Sequence, residues 1–306
     1  MSDSDLIPSR RLMLVHAHPD DESSQTALTM AKYAAEGARV TLVTCTLGEL
    51  GEIVSEPLKQ LTPDELGPYR LGELTRAMAA LGVTDFVRLG GDGRYHDSGM
   101  AYAEDGSVIA LAELRDDCFW NADLAEAANH LVALIRDRRP QVLITYDDFG
   151  GYGHPDHVKA HRVAMYAYLL AAVPGYRTDL GDPWQISRVF WSGFSQSSVR
   201  QMVRALRAAG DTEAFAHIDP DAETLPMGVD DAYIAARIHA PEFTAAQYAA
   251  LAAHASQVDL STGFFGALEK ASAAGAEVWT DENYRLAAGV PLPGPLPADD
   301  LFAGLD

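Results

Sequence analysis

Two short stretches of the chain combine histidine with acidic side chains. The first is HAHPDDES at residues 16–23, and the second is GHPDH at residues 153–157. Each contains the triplet His-Pro-Asp. The first directly follows the apolar run RLMLV, and the second comes after the apolar run QVLITY and the short connection DDFGGY. Proline and aspartate are common where a helix begins, but histidine is not a favoured capping residue. Helix capping alone therefore does not explain both triplets.

The residue types and their spacing predict a hydrolytic metal site. Such a site needs a few neutral imidazoles or carboxylates and leaves one position open for water. His18 and Asp21 are three residues apart across a turn, close enough to bind one ion, and His157 at the start of a later helix would be the third ligand. Two histidines and one carboxylate suit Zn²⁺ but also Fe²⁺, so the ligand set leaves the metal open.

The other polar residues of the two stretches are suited to amide hydrolysis. Asp20 lies beside the ligands and is placed to act as general base for the attacking water. His154 could donate a proton and stabilise the oxyanion, which an amide requires because an amine leaves poorly unless it is protonated. Asp156 would orient His154 and keep it protonated.

Strand-like and helix-like stretches alternate through the first half of the chain. Strands are predicted at 11–16, 38–46, 85–91, 141–146 and 186–194, and helices at 23–36, 69–82, 123–140 and 157–173. This alternation predicts an α/β fold with a Rossmann-like, doubly wound, mostly parallel sheet. Ligands of such sheets bind beyond the carboxyl ends of the strands, where both triplets fall. The glycine-rich phosphate loop of dinucleotide-binding proteins does not follow the first strand.

The alternation weakens after about residue 175. We predict a metal-binding catalytic body over 1–175 and a smaller C-terminal α+β part over 176–306 that completes the substrate cleft, within one continuous structural domain. In the second part, helical patterns occur at 195–215 and 243–274, and a Pro/Gly-rich tail at 286–306 is expected to be draped over the body or partly mobile.

The amino-acid composition limits the classes of binding partner and the cellular location that we expect for the protein. The 306 residues include 44 acidic and 23 basic side chains, for a formal net charge of −21. Such a chain repels phosphate backbones and anionic lipids, so we expect no nucleic acid and no membrane surface as partner. Two cysteines are too few for a disulfide framework. MSDSDLIPSRR lacks an apolar signal core and no apolar run approaches ~18 residues. These features predict a cytoplasmic protein, and none indicates an obligate protein partner.

The two triplets with their flanking residues resemble the metal motifs of the zinc-dependent LmbE/PIG-L family of N-acetylglucosamine deacetylases. Other stretches resemble the branch of this family that serves mycothiol biosynthesis in actinobacteria and deacetylates N-acetyl-glucosaminyl-inositol. They are TLGELGEI (46–53), PYRLGEL (68–74), GGDGRYHDSGM (90–100), GGYGHPDH (150–157) and LAAHASQV (251–258). The resemblance covers most of residues 10–175 in order, with patches beyond.

The resemblance implies zinc at the three predicted ligands and the same acid–base roles for Asp20, His154 and Asp156. It also implies a small-molecule amino-sugar inositol substrate and roles for five further residues. Tyr152 would be a mobile residue near the acetyl oxygen, and the sugar and inositol hydroxyls would be bound by Arg70, Asp97, Ser24 and Glu49. Arg70 is predicted to open its helix, where a cation is electrostatically disfavoured, which indicates a second duty.

Three alternative functions remain open at this point. The mycothiol S-conjugate amidase of the same family has nearly the same active-site motifs. An Fe²⁺ facial-triad oxygenase could use His18, Asp20 and a distant histidine, although such enzymes usually have many antiparallel strands. A non-enzymatic sugar-binding module would use all four coordination positions of a structural metal. His161, four residues after His157, could reach the same ion, but we predict a structural role for it.

Overall fold

The structure, a computed structural model, describes residues 9–305, so most of the N-terminal stretch used to predict location lies outside the described residues. Its strands are β1 (Arg11–His16), β2 (Arg39–Thr44), β3 (Asp85–Arg88), β4 (Ala101–Tyr102), β5 (Val108–Ile109), β6 (Val142–Thr145), β7 (Arg188–Gly193), β8 (Ala236–His239) and β9 (Asp281–Gly289). Its α-helices are α1 (Asp21–Gln25), α2 (Ala27–Ala35), α3 (Pro63–Ala80), α4 (Leu124–Arg138), α5 (Pro155–Ala171), α6 (Gln196–Ala208), α7 (Thr244–Ala253) and α8 (Gly263–Ala273). Within residues 9–305, every helix is too short or too polar to cross a bilayer.

Seven of these strands form one sheet in the order β3-β2-β1-β6-β7-β9-β8. The pairs from β3 to β7 are parallel, whereas β9 runs antiparallel to both β7 and β8. The prediction of an α/β, mostly parallel sheet is confirmed. The strand order reverses at β1, which lies between β2 and β6, and this switch point is where ligands bind in open sheets of this kind. The two His-Pro-Asp triplets follow these two neighbouring strands, β1 and β6.

Both faces of the central strands are buried. Leu12 and Leu14 of β1 pack in a cluster with residues of α2, α3 and α7, whereas Met13 and Val15 pack in a second cluster with residues of α4 and α5. Strands covered on both faces have continuous apolar sequences, as RLMLV and VLIT do. The helices therefore fix β1 and β6 from both sides and hold their carboxyl ends at adjacent positions.

The helix α3 begins at Pro63, six residues before the predicted range of 69–82. A capping box forms there, because the side chain of Thr62 and the N3 residue Glu65 satisfy each other's backbone N–H groups. Arg70 consequently lies in the helix interior rather than at its first turn. The premise that this cation opens its helix was wrong.

Other boundaries also differ from the sequence-based expectations. The helix predicted over 23–36 is divided at Thr26, where φ is −142°, and the pattern over 243–274 forms the separate helices α7 and α8. The strands β8 and β9 were not predicted, and the tail begins inside β9. Further along the tail, Leu301 and Phe302 are buried in the core. The sheet extends on both sides of the proposed division near residue 175, which stays a prediction.

Candidate active site

The carboxyl ends of β1 and β6 border a cavity of about 530 Å³. The first triplet leaves β1 and enters α1, and the second forms the start of α5. The cavity is lined by seven of the residues predicted for the site, which are His18, Asp20, Asp21, Arg70, Asp97, Tyr152 and His154. Its volume is within the range of small-molecule sites in proteins. The fold thus brings two segments more than 130 residues apart to one cleft.

The three predicted metal ligands meet at the carboxylate of Asp21. One of its oxygens lies 3.4 Å from Nδ1 of His18, and the other lies 3.3 Å from Nε2 of His157. Nδ1 of His157 is 3.1 Å from the carbonyl oxygen of Gly150, which assigns the ring proton to Nδ1. Nε2 is buried without a hydrogen-bond partner among the described residues. Two acceptor atoms of Asp21 and His157 therefore face each other, an arrangement that a cation between them would stabilise.

The imidazole of His18 belongs to two compact groups of buried side chains. Its ligand atoms lie within 4.8 Å of those of His154 and His157, and also of those of Asp97 and Asp156. Burial alone would lower the pKa of His18, but the carboxylates of Asp97, Asp156 and Asp21 raise it well above its ordinary value. The surroundings therefore favour a positive charge at this point. Imidazoles and carboxylates in this number fit a divalent cation. That His18, Asp21 and His157 are the residues that would hold it stays a prediction.

Asp20 occupies a strained position at the edge of this group. Its φ is 105°, a left-handed conformation that costs a non-glycine residue on the order of 1–3 kcal/mol. Its carboxylate accepts a hydrogen bond of 2.8 Å from Nη2 of Arg70. A quarter of the side chain faces the cleft, yet burial raises the pKa of Asp20 to about 6 against the opposing charge of Arg70. A carboxylate with this pKa is suited to accept a proton near neutral pH.

The contact predicted between the side chains of Asp156 and His154 is not formed. The carboxylate of Asp156 lies 3.2 Å from Nε2 of His18 and accepts hydrogen bonds from the backbone and hydroxyl of Ser98. His154 is instead the N-cap of α5, and its Nδ1 accepts a hydrogen bond from the backbone N–H of Asp156 at 3.1 Å. The prediction that the Asp156 carboxylate orients His154 was therefore wrong, because the first turn of α5 directs it toward His18.

The cap contact determines what His154 can offer the cleft. Because Nδ1 accepts a hydrogen bond, the proton of the neutral ring is on Nε2. Burial, reinforced by the neighbouring His18 and His157, lowers the pKa of His154 to about 3. The expectation that Asp156 keeps His154 protonated is therefore also wrong in this arrangement. His154 is a neutral hydrogen-bond donor, with its ring centroid 4.7 Å from that of His18.

The four predicted substrate-binding residues fall into two pairs. Arg70 and Asp97 line the cavity, but both are also engaged in the protein: Arg70 donates to the carbonyls of Gly48 and Pro19, and Asp97 accepts from the backbone of Leu50 and Gly99. Ser24 and Glu49 are not among the cavity-lining residues. The hydroxyl of Ser24 donates to the carbonyl of Asp21, and the carboxylate of Glu49 accepts the N–H of Asp97. Their proposed contacts with substrate stay predictions.

Tyr152 lies over the predicted metal ligands. Its ring centroid is 5.0 Å from that of His157 and 6.2 Å from that of His154, and 48% of the residue is exposed. Both neighbouring glycines have positive φ, 78° at Gly151 and 98° at Gly153. These conformations are readily adopted only by glycine, so the residues beside Tyr152 shape the turn that carries it. Its mobility stays a prediction.

Sequence reasoning missed Tyr146, which supports two of the predicted ligands. Its hydroxyl donates to Asp21 at 2.7 Å and accepts the backbone N–H of Ala17 at 2.8 Å. Its ring stacks on that of His157, with centroids 4.2 Å apart and planes 20° apart. Gln25 also donates to Asp21, at 3.2 Å. The available signal was the position of Tyr146, because it ends the apolar run QVLITY, the predicted strand that precedes the loop carrying the second metal motif.

The Tyr146→Phe variant is expected to bind metal about 10–100-fold more weakly, the usual effect of losing a residue that orients a ligand. The ring and its packing are kept, and only the hydrogen bond to Asp21 is lost. Metal affinity is measured by competition with a chromogenic chelator. Tyr284→Phe is the control, because it removes another buried hydroxyl, hydrogen-bonded to Thr29 and Glu282. Equal affinities in the two variants would contradict the supporting role of Tyr146.

Comparisons with known proteins agree with the predicted family. The PIG-L family, described as GlcNAc-PI de-N-acetylase, matches residues 13–168. Over 303 residues the chain is 52% identical to the 1D-myo-inositol 2-acetamido-2-deoxy-alpha-D-glucopyranoside deacetylase of Nocardioides sp., covering 97% of this chain and 99% of that protein. It is 50% identical to the Kribbella flavida protein of the same description, with coverage of 98% and 99%.

Solved structures show the same fold at lower identity. The N,N'-diacetylchitobiose deacetylase from Pyrococcus horikoshii superposes with a TM-score of 0.59 at 16% identity, over 90% of this chain and 83% of that chain. At this identity, the likeness concerns the fold alone. The PIG-L family matches half of the chain, and the Nocardioides relative is 52% identical to it over nearly its full length. The chain therefore belongs to the PIG-L family of de-N-acetylases.

Proposed function

We propose that the protein hydrolyses the acetamide of 1D-myo-inositol 2-acetamido-2-deoxy-α-D-glucopyranoside to the free amine and acetate, a step of mycothiol biosynthesis. One observation carries the chemistry. Acceptor atoms of Asp21 and His157 face each other 3.3 Å apart, beside a cleft that is lined by Asp20, Asp21 and His154. The choice of substrate is supported by the relatives that are about half identical along the whole chain.

We infer that the cation is Zn²⁺, held by His18, Asp21 and His157. Zinc at catalytic sites is commonly bound by three imidazole or carboxylate ligands with one position open, although Fe²⁺ accepts the same donors. The bound cation supplies Lewis-acid activation of the acetyl carbonyl and of the attacking water. The unpartnered Nε2 of His157 supports this assignment, because a buried nitrogen left without a partner is otherwise costly.

The residues of the chain supply the proton transfers. Asp20 accepts a proton from water as the water oxygen bonds to the acetyl carbon. The Nε2–H of His154 donates a hydrogen bond to the oxygen on which negative charge develops. The carbon–nitrogen bond then breaks, the nitrogen gains the proton released by the water, and the acetic acid formed ionises, so that acetate and the primary amine leave. Asp20, which accepted that proton and lines the same cavity, returns it to the amine nitrogen.

The alternative functions differ in how much support they receive from the fold and from the relatives. The mycothiol S-conjugate amidase remains the competing assignment, because it would use the same metal and the same base. The Fe²⁺ oxygenase finds no support in a sheet whose central strands are parallel or in relatives described as deacetylases. The location stays a proposal: the two cysteines are free and buried, in agreement with a reducing cytoplasm.

The decisive experiment combines metal exchange with substrate comparison. The purified protein is stripped with a chelator, and activity is measured after addition of Zn²⁺ or, without oxygen, Fe²⁺. Release of primary amine from the acetylated glucosaminyl-inositol is compared with cleavage of a bimane conjugate of mycothiol. We expect activity to disappear on chelation, to return with metal, and to favour the acetylated glucosaminyl-inositol in kcat/KM. Faster cleavage of the conjugate would overturn the deacetylase assignment, and activity unaffected by chelation would overturn the metal mechanism.

A further inference from the structure

A buried pair of side chains lies directly behind Asp20. Nε2 of His254 is 2.7 Å from Oε1 of Glu22, and both residues are fully buried. They are 232 residues apart in the sequence, so the pair connects the first metal motif to the end of α7. Nδ1 of His254 has no hydrogen-bond partner among the described residues. The polar contact of this ring is therefore with Glu22.

The second oxygen of Glu22 continues the connection to Asp20. Oε2 accepts a hydrogen bond of 2.9 Å from the backbone N–H of Asp20, while Oε1 also accepts the hydroxyl of Ser23 at 2.6 Å. The carboxylate thus links the imidazole of His254 to the main chain of the proposed general base. Its contacts are made behind the residue, on the side away from the cavity, which Glu22 and His254 do not line.

The main chain at Asp20 needs such support. A residue with a side chain remains at a φ of 105° only where its surroundings over-determine that conformation. Glu22 fixes the N–H of Asp20, and the carbonyl of Asp20 accepts the N–H groups of Ser23 and Ser24 at the start of α1. Arg70 binds the preceding carbonyl and the carboxylate itself. The peptide groups on both sides of Asp20 are therefore held by hydrogen bonds.

The position of His254 is fixed in turn by the residues that follow it. The backbone and hydroxyl of Ser256 donate to Glu73 of α3 at 2.8 and 2.6 Å. Glu73 and Ser256 are both fully buried. Because α3 also carries Arg70, the same helix anchors the His254 segment and the carboxylate of Asp20. The pair is thus held in a rigid frame.

We propose that Glu22 and His254 are positioning residues, which hold the main chain of Asp20 in its left-handed conformation and thereby direct its carboxylate at the attacking water. This inference rests on the proposed function, in which Asp20 is the general base. It assigns a task in the catalytic cleft to a segment of the C-terminal part that lies outside the residues matched by the family, 13–168.

The test is a double-mutant cycle between Glu22→Gln and Asp20→Asn, assayed in the metal-loaded full-length protein. In the native background, Glu22→Gln is expected to lower kcat by about ten- to a hundredfold, the scale for a misplaced catalytic group, with KM and bound metal nearly unchanged. In the Asp20→Asn background the same change is expected to cost no further rate, because the base is already absent. Equal losses in both backgrounds, an unchanged kcat, or a loss that follows the loss of metal would overturn the proposal.

Two further variants separate positioning from a general loss of structure. His254→Ala removes the partner of Glu22 and should reproduce the loss in kcat, whereas His254→Gln keeps a donor near the position of Nε2 and should restore most of it. If Glu22→Gln does not fold, this pair takes its place in the cycle. Glu282→Gln is the matched control, since Glu282 is a buried carboxylate that accepts two backbone N–H groups at the start of α2. We expect it to keep the native kcat.

A crystal structure of Glu22→Gln gives a readout that does not depend on activity. We expect the φ of Asp20 to leave the left-handed region or its carboxylate to move away from Arg70. An unchanged Asp20 would overturn the proposal even if activity were low. If the native protein fails to deacetylate the inositol substrate, the proposed function fails, and the geometry of Asp20 in this variant still decides the inference about the pair.

Discussion

The His157→Ala variant is expected to lose its bound metal and to show a kcat lower by on the order of a thousandfold. Lewis-acid activation supplies several kcal/mol of transition-state stabilisation, and about 1.4 kcal/mol corresponds to tenfold in rate. His157 contributes a buried nitrogen that has no hydrogen-bond partner among the described residues, so its removal takes away a predicted ligand as well as the packing of its ring on Tyr146. Metal content after desalting and steady-state deacetylation are the two measurements.

The matched control for this variant is His161→Gln, one turn further along α5. His161 is also buried, but its Nδ1 is 3.0 Å from the carbonyl oxygen of Tyr146 and its ring lies against Trp191. These contacts agree with the structural role predicted for it, so we expect the variant to retain metal and most of its activity. Metal retained by His157→Ala at the native level would exclude His157 from the ligand set.

The Asp20→Asn variant is expected to show a kcat about a hundredfold lower, the typical contribution of a general base, with its metal retained. Asparagine has nearly the same shape and can still accept the hydrogen bond from Arg70, but it cannot take a proton from water. The measurements are deacetylation at saturating substrate and metal content. A non-catalytic sugar-binding module would have no such rate to lose.

Asp147→Asn serves as the control for the loss of a carboxylate near the carboxyl ends of the strands. Asp147 follows β6 and pairs with Arg285 at 2.9 Å, outside the cavity lining. Its replacement should leave kcat near the native value. If Asp20→Asn turned over substrate at the native rate, Asp20 would have no part in the mechanism, and the proposed role of Glu22 and His254 would be excluded with it.

The parallel half of the fold could be predicted because its strands are buried on both faces. The runs LMLV of β1 and VLI of β6 are apolar throughout, and each is followed by a helix that covers the sheet. The strands β8 and β9 gave no comparable signal. ARIH has four residues, and DENYRLAAG mixes charged and apolar side chains. Their pairing depends on partners distant in sequence, which local patterns do not encode.

Helix boundaries were missed for two different reasons. The start of α3 at Pro63 could have been predicted, because Thr62, Pro63 and Glu65 form a standard N-terminal signal for a helix. The break between α1 and α2 could not be predicted from the sequence, because Thr26 is compatible with a continuous helix. The break follows from burial, since the Thr26 side chain bonds to His16 inside the core.

The location of the site was predictable, whereas its internal contacts were not. Both triplets were expected beyond the carboxyl ends of strands, and the structure places them after β1 and β6, which are neighbours in the sheet. Which oxygen of Asp156 meets which imidazole depends on the direction of a side chain in the first turn of α5. The contact between Glu22 and His254 depends on the path of the C-terminal part, which local sequence patterns do not determine. The catalytic and ligand roles of these residues stay predictions.

The position of β9 has a consequence for the order in which the molecule is assembled. It is the last of the described strands to be synthesised, yet it lies in the interior of the sheet, between β7 and β8. Until β9 emerges from the ribosome, β8 lacks the strand with which it pairs, and the backbone N–H groups at the start of α2 lack the carboxylate of Glu282. Translation proceeds at about 5–20 residues per second, so β8 stays without this partner strand for seconds. The nascent chain therefore completes its sheet only after β9 has been synthesised.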